Sequence, residues 1–81
     1  MTHVLKLTGE LTRQTYNEQL SHVRSSISSG ITHIDMASVA PVDSCSIVLW
    51  VAIQRIDPSV KWTGFPEQML SIAELVGVDI H

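Results

Sequence analysis

Residues 31–50 read ITHIDMASVAPVDSCSIVLW, and the fold depends on how this stretch divides. Ile31 to Met36 alternates in the manner of a strand, with Thr32, Ile34 and Met36 on one face and Ile31, His33 and Asp35 on the other. A polar turn is expected from Ser38 to Asp43. From Ser44 to Ile56 the chain carries Ile47, Val48, Leu49, Trp50, Val51, Ala52, Ile53 and Ile56, a helix too apolar around its circumference to have one whole side in water. Other elements should therefore cover it.

The same unit recurs on both sides. Val4 to Leu7 is short and aliphatic, and Thr8-Gly9 is expected to end it as a strand. Tyr16, Leu20, Val23 and Ile27 then recur at spacings of three and four, which predicts an amphipathic helix with Thr12 as N-cap and Ser28-Ser29-Gly30 as its stop. Beyond Asp57-Pro58-Ser59, a short strand is expected over Val60 to Thr63. Gly64-Phe65-Pro66 then turns into a last helix containing Met69, Leu70, Ile72, Ala73, Leu75 and Val76, with Pro66 at its N1 position. Strand and helix thus alternate three times. Such alternation predicts an α/β domain over 1–81 with a small, mainly parallel sheet and right-handed crossovers.

Composition narrows the function classes. Hydrophobic content of 44% with 16% charged residues describes a globular chain, and no run of about 18 apolar residues is present to span a bilayer. The formal net charge is −3 and the five Lys and Arg are scattered, so nucleic acid is not an expected partner. Cys45 is the one cysteine, which excludes an intrachain disulfide and fits a reducing, cytoplasmic compartment. Met-Thr-His-Val-Leu-Lys at the start lacks the pattern of a secretory signal.

Chemistry centres on the junction at Asp43-Ser44. Either residue can cap the following helix, and the first-turn N–H groups with the helix dipole suit a phosphate or carboxylate. A cap alone contributes about 1 kcal/mol and requires no further function. Cys45 as a nucleophile would need a neighbouring base, and none is local. His3, His22, His33 and His81 are spread along the chain with no metal-ligand spacing, so neither a metal centre nor another cofactor is expected. Asp35 and Asp43 as paired catalytic carboxylates give way to a simpler use of Asp35, bonding nearby loop amides. Trp50, Trp62, Phe65 and Met69 are core residues or, where they reach the surface, binding anchors. Ligands of parallel sheets gather at the carboxyl ends of strands, so the loops 9–12, 37–46 and 63–67 are expected to form one rim.

Three segments together resemble the STAS domain family. They are Leu5-Lys6-Leu7-Thr8-Gly9-Glu10-Leu11-Thr12, Ile34-Asp35-Met36-Ala37-Ser38 and Val42-Asp43-Ser44, and the tail from Thr63-Gly64-Phe65 to Leu75 is similar to the family's last strand and helix. The family includes anti-sigma factor antagonists and the MlaB-like cytosolic subunits of bacterial phospholipid-transporting ABC systems. The resemblance implies a non-enzymatic domain that binds and regulates an ABC transporter ATPase in phospholipid trafficking and outer-membrane lipid asymmetry. The alternative it implies is an anti-sigma factor antagonist whose Ser44 is phosphorylated by a partner anti-sigma factor kinase. Either way Ser44 matches the family's partner-facing hydroxyl and Asp43 the acid before it, with Cys45, Ser46 and Phe65 on the surrounding partner-binding rim. This chain departs from the family where a glycine usually follows the hydroxyl pair, having Cys45-Ser46 instead. It also begins close to the family's second strand, which leaves a sheet edge open for a partner or a second copy.

Overall fold

A computed structural model describes residues 3–80. His81, the last of the four histidines, and the first two residues of the chain lie outside the described residues. The elements are β1 (Val4–Leu11), α1 (Tyr16–Ser28), β2 (His33–Val42), α2 (Cys45–Ile56), β3 (Lys61–Thr63) and α3 (Glu67–Val76). The three strands form a wholly parallel sheet in the order β1-β2-β3. With the strands in sequence order, parallel crossovers of one hand put successive helices on one face, and α2 packs beside both α1 and α3. The expected α/β architecture with alternating helices is present.

The core lies between sheet and helices. Leu7, Leu11, Ile34 and Met36 point inward from the sheet and are buried, as are Val23 of α1, Leu49 and Ile53 of α2, and Met69 of α3. The other sheet face is polar, with Lys6, Thr8, Lys61 and Thr63 exposed and His33 Nε2 2.8 Å from Thr63 Oγ1.

The largest difference from expectation is in β2, which does not turn at Ser38 but continues to Val42. Pairing with β1 explains why. Lys6 faces Asp35 and Thr8 faces Ser38, so β2 spends three steps where β1 spends two, and the same happens between Gly9–Val39 and Leu11–Val42. Each extra residue is a β-bulge that reverses which side chains face inward. Inward burial therefore passes from Ile34 and Met36 to Val39 and then to Val42. The second bulge holds Pro41, preceded by a cis peptide bond, where a residue without an N–H does least harm to the ladder.

β1 also runs on, past the expected stop at Gly9 to Leu11. Gly9 has φ 83, a value glycine adopts at no steric cost, so it bends the strand between the bulges without ending it. The α1 start is later than expected. Thr12 does not cap the helix but opens a turn closed by Thr15 N–H on Thr12 O at 3.1 Å, and Thr15 takes the N-cap position. Thr15 Oγ1 accepts from the Thr12 N–H at 3.0 Å and donates to Glu10 O at 2.9 Å, which binds this turn to the end of β1. At α3, Pro66 stands at the N-cap with ψ 142 and the helix begins at Glu67, one residue later than expected.

The cover over α2 is partial. Ser46, Ile47, Leu49 and Ile53 are buried and Trp50 and Val51 partly so, but Val48 remains 52% and Ile56 48% exposed, too much for interior residues.

Candidate functional site

The Asp43-Ser44 junction stands where β2 delivers the chain to α2. Ser44 occupies the N-cap position, yet its φ −61 and ψ −19 are already helical and its side chain makes no capping hydrogen bond. Asp43 does the capping. Its Oδ1 accepts the Cys45 N–H at 2.8 Å and its main-chain carbonyl accepts the Ser46 N–H at 3.0 Å, while Ser44 O takes the next two donors, Ile47 N–H at 3.1 Å and Val48 N–H at 3.3 Å. The helix start is thus filled by the protein's own carboxylate. An incoming anion would compete with Asp43, which alters the expectation of an open anion site.

The second oxygen of Asp43 looks the other way. Oδ2 accepts the backbone N–H of Arg13 at 3.0 Å, joining the β1–α1 turn to the start of α2. These bonds hold the carboxyl below its ordinary pKa, the Arg13 amide contributing most, with partial burial opposing and Cys45 adding to the effect. Beside it the Cys45 thiol is pushed up, first by burial and then by the Asp43 carboxylate. A thiol moved in that direction is less a thiolate, and so less a nucleophile.

Glu10, Thr12, Arg13, Gln14, Asp43, Ser44 and Cys45 line one polar groove of about 380 Å³. Two of the three expected rim loops therefore meet. None of the described histidines lines this groove, and no group of three or more His, Cys, Asp or Glu among the described residues could hold a metal ion.

Within the groove Ser44 is exposed and its hydroxyl makes no hydrogen bond among the described residues. One turn on, Val48 extends the exposed surface along α2. Cys45 is partly buried at the groove wall. Ser46, expected on the rim, is fully buried and donates its hydroxyl to Asp43 O at 2.7 Å, so it supports the junction from inside and presents nothing outward.

Phe65 is not part of this groove. It stacks on Trp62 with ring centroids 5.9 Å apart and planes at 17°, and lines a separate groove with Trp50, Lys61 and Ile80. The expected single rim is therefore two grooves. Gly64 fixes this geometry: its φ is 69, and a Cβ there would lie 2.9 Å from both Cβ and N of Ala37. Asp35 supports the same approach, its Oδ1 accepting the Ala37 N–H at 2.9 Å, a local bond as expected but to an amide within β2 rather than in a loop. The indole N–H groups of Trp50 and Trp62 are buried and find no acceptor among the described residues. Each such donor costs about 1–3 kcal/mol. Sequence reading marked both tryptophans as large side chains to be placed but had no signal for their unpaired N–H groups.

No protein-family model matches this chain, and no curated protein matches it in sequence. No helix among the described residues is long and apolar enough to cross a membrane.

Proposed function

We propose that this chain is a non-enzymatic STAS-like domain of the cytoplasm that binds and regulates the ATPase of a bacterial ABC transporter for phospholipids. The observation that carries the reading is the exposed, uncommitted Ser44 hydroxyl, held beside a capped helix start with the apolar Val48 one turn along. A hydroxyl that stabilises nothing in its own fold is available to a partner. Val48 adds an exposed apolar side chain to the same stretch of α2. The motif resemblance from Leu5 to Ser44 supports assigning that partner to the transporter class, in the MlaB-like branch.

Exposure of Ser44 favours a second reading, the anti-sigma factor antagonist switched by a kinase. Phosphate on Ser44 would add roughly −1.5 to −2 charges beside Asp43, so modification would push on the contact that joins the Arg13 turn to α2. Affinity purification followed by mass spectrometry separates the two. Recovery of an ABC ATPase with its permease supports the first, and recovery of a serine kinase with phosphate on Ser44 supports the second. If Ser44→Ala, Ser44→Asp and Val48→Glu all retained the recovered partner as tightly as the parent chain, the α2 start would be excluded as the contact surface.

A further inference from the structure

We infer that the aromatic groove between α2 and β3 binds a small amphipathic anion, an apolar body carrying one carboxylate or sulfonate. The inference stands apart from the reading of Ser44. The groove is open and measures about 690 Å³, within the range of small-ligand sites. Its apolar walls are the Trp50 ring, the stacked pair Trp62 and Phe65, and Ile80.

The polar groups select the ligand's charge. Trp50 and Trp62 both line the groove, an indole N–H can only donate, and both N–H groups are buried with no acceptor among the described residues. Lys61 likewise can only donate, and it carries a positive charge to the same wall. Thr63 already has its hydroxyl against His33. No carboxylate is among the described residues that line the groove, and Gln54, its remaining polar side chain, is uncharged. Two indole N–H donors and the Lys61 ammonium beside aromatic walls are met by an acceptor with negative charge on an apolar frame. Because both N–H atoms are shielded, binding requires the partly buried rings to turn their N–H edges toward the groove.

The test uses the two tryptophans as reporters. The sequence contains two, so the ¹H–¹⁵N spectrum of the full chain carries two indole signals. Titration uses 8-anilinonaphthalene-1-sulfonate as the anionic probe and N-phenyl-1-naphthylamine as its uncharged counterpart. The expected result is saturable movement of both indole signals with the sulfonate, and binding of the uncharged probe about tenfold weaker, the size of one charge-assisted hydrogen bond. Lys61→Gln, at an exposed position, should weaken the sulfonate and leave the uncharged probe unaffected; Trp50→Phe, with folding checked by the amide spectrum, should weaken the sulfonate too. Ser44→Ala should leave both titrations unchanged, which keeps this result independent of the α2 start. Stationary indole signals, equal binding of the two probes, shifts confined to α3 around Leu75 and Val76, or indifference to Lys61→Gln would each overturn the inference.

Discussion

The backbone N–H of Arg13 lies 3.0 Å from Oδ2 of Asp43, thirty positions further along the chain. Through this contact one carboxylate serves two elements, since its other oxygen receives the Cys45 N–H at the first residue of α2. The β1–α1 turn and the α2 start are consequently one structural unit. A change in either should be felt in the other.

Asp43→Ala removes both acceptors and is expected to destabilise the fold by about 1–2 kcal/mol in urea denaturation at pH 7. Asp43→Asn, which retains one amide oxygen as acceptor, should lose less. The pH dependence has a definite sign. The folded state lowers the Asp43 pKa, so its contribution is present above the unfolded value of roughly 3.9 and disappears as pH falls through the folded value. The stability gap between the parent chain and Asp43→Asn should therefore close on acidification below about pH 4. A gap that stayed constant from pH 7 to pH 3 would contradict the ionised cap.

Ser44→Ala should do almost nothing to stability. A capping serine would cost about 1 kcal/mol on truncation, but the Ser44 hydroxyl makes no capping bond and no hydrogen bond among the described residues, so a change within about 0.5 kcal/mol is expected. Ser46→Ala is the contrasting case, because it deletes a buried hydroxyl bonded at 2.7 Å to Asp43 O, and about 1 kcal/mol should be lost. The two serines should thus exchange the roles that residue type alone would assign them. Paired thermal melts check this directly.

Gly64→Ala is expected to be more damaging than Gly9→Ala. Both positions have positive φ, which strains any residue with a Cβ by about 1–3 kcal/mol, but only at Gly64 does the new methyl also meet Ala37 backbone and side chain at 2.9 Å. At Gly9 nothing lies within 4 Å of the added atom. A melting temperature lowered equally by the two substitutions would show that the approach of Gly64 to β2 is loose.

The order of elements was legible because the α1 face repeats cleanly through Tyr16, Leu20, Val23 and Ile27 and because breakers separate the units. The second half of β2 was not legible. Two added residues shift its inward positions from Met36 to Val39 and Val42, so Ala-Ser-Val-Ala-Pro-Val has no single period and reads as a turn. The junction was found, but its internal division was hidden: aspartate and serine are both good caps, and which one turns toward the helix depends on the path by which β2 arrives. Arg13 was missed because its contribution is a main-chain N–H, which carries no sequence signal. The aromatic groove joins Trp50 to Trp62 and Phe65 across separate elements, and only the folded chain brings them together.

Cys45 offers a readout of the same junction in solution. Burial and the adjacent Asp43 carboxylate both raise the thiol above its ordinary pKa, so alkylation by iodoacetamide at pH 8 should be slower than for a free cysteine peptide. Asp43→Asn removes the negative neighbour and should speed the reaction at fixed pH, whereas burial, the larger cause, should keep it below the peptide rate. The Arg13 side chain acts in the opposite sense on Cys45, so Arg13→Gln should slow alkylation slightly further while leaving the backbone N–H on Asp43 in place. If Asp43→Asn left the rate unchanged across pH 7 to 9 while the fold remained intact, the carboxylate and thiol would not share the environment that the Asp43 contacts place them in.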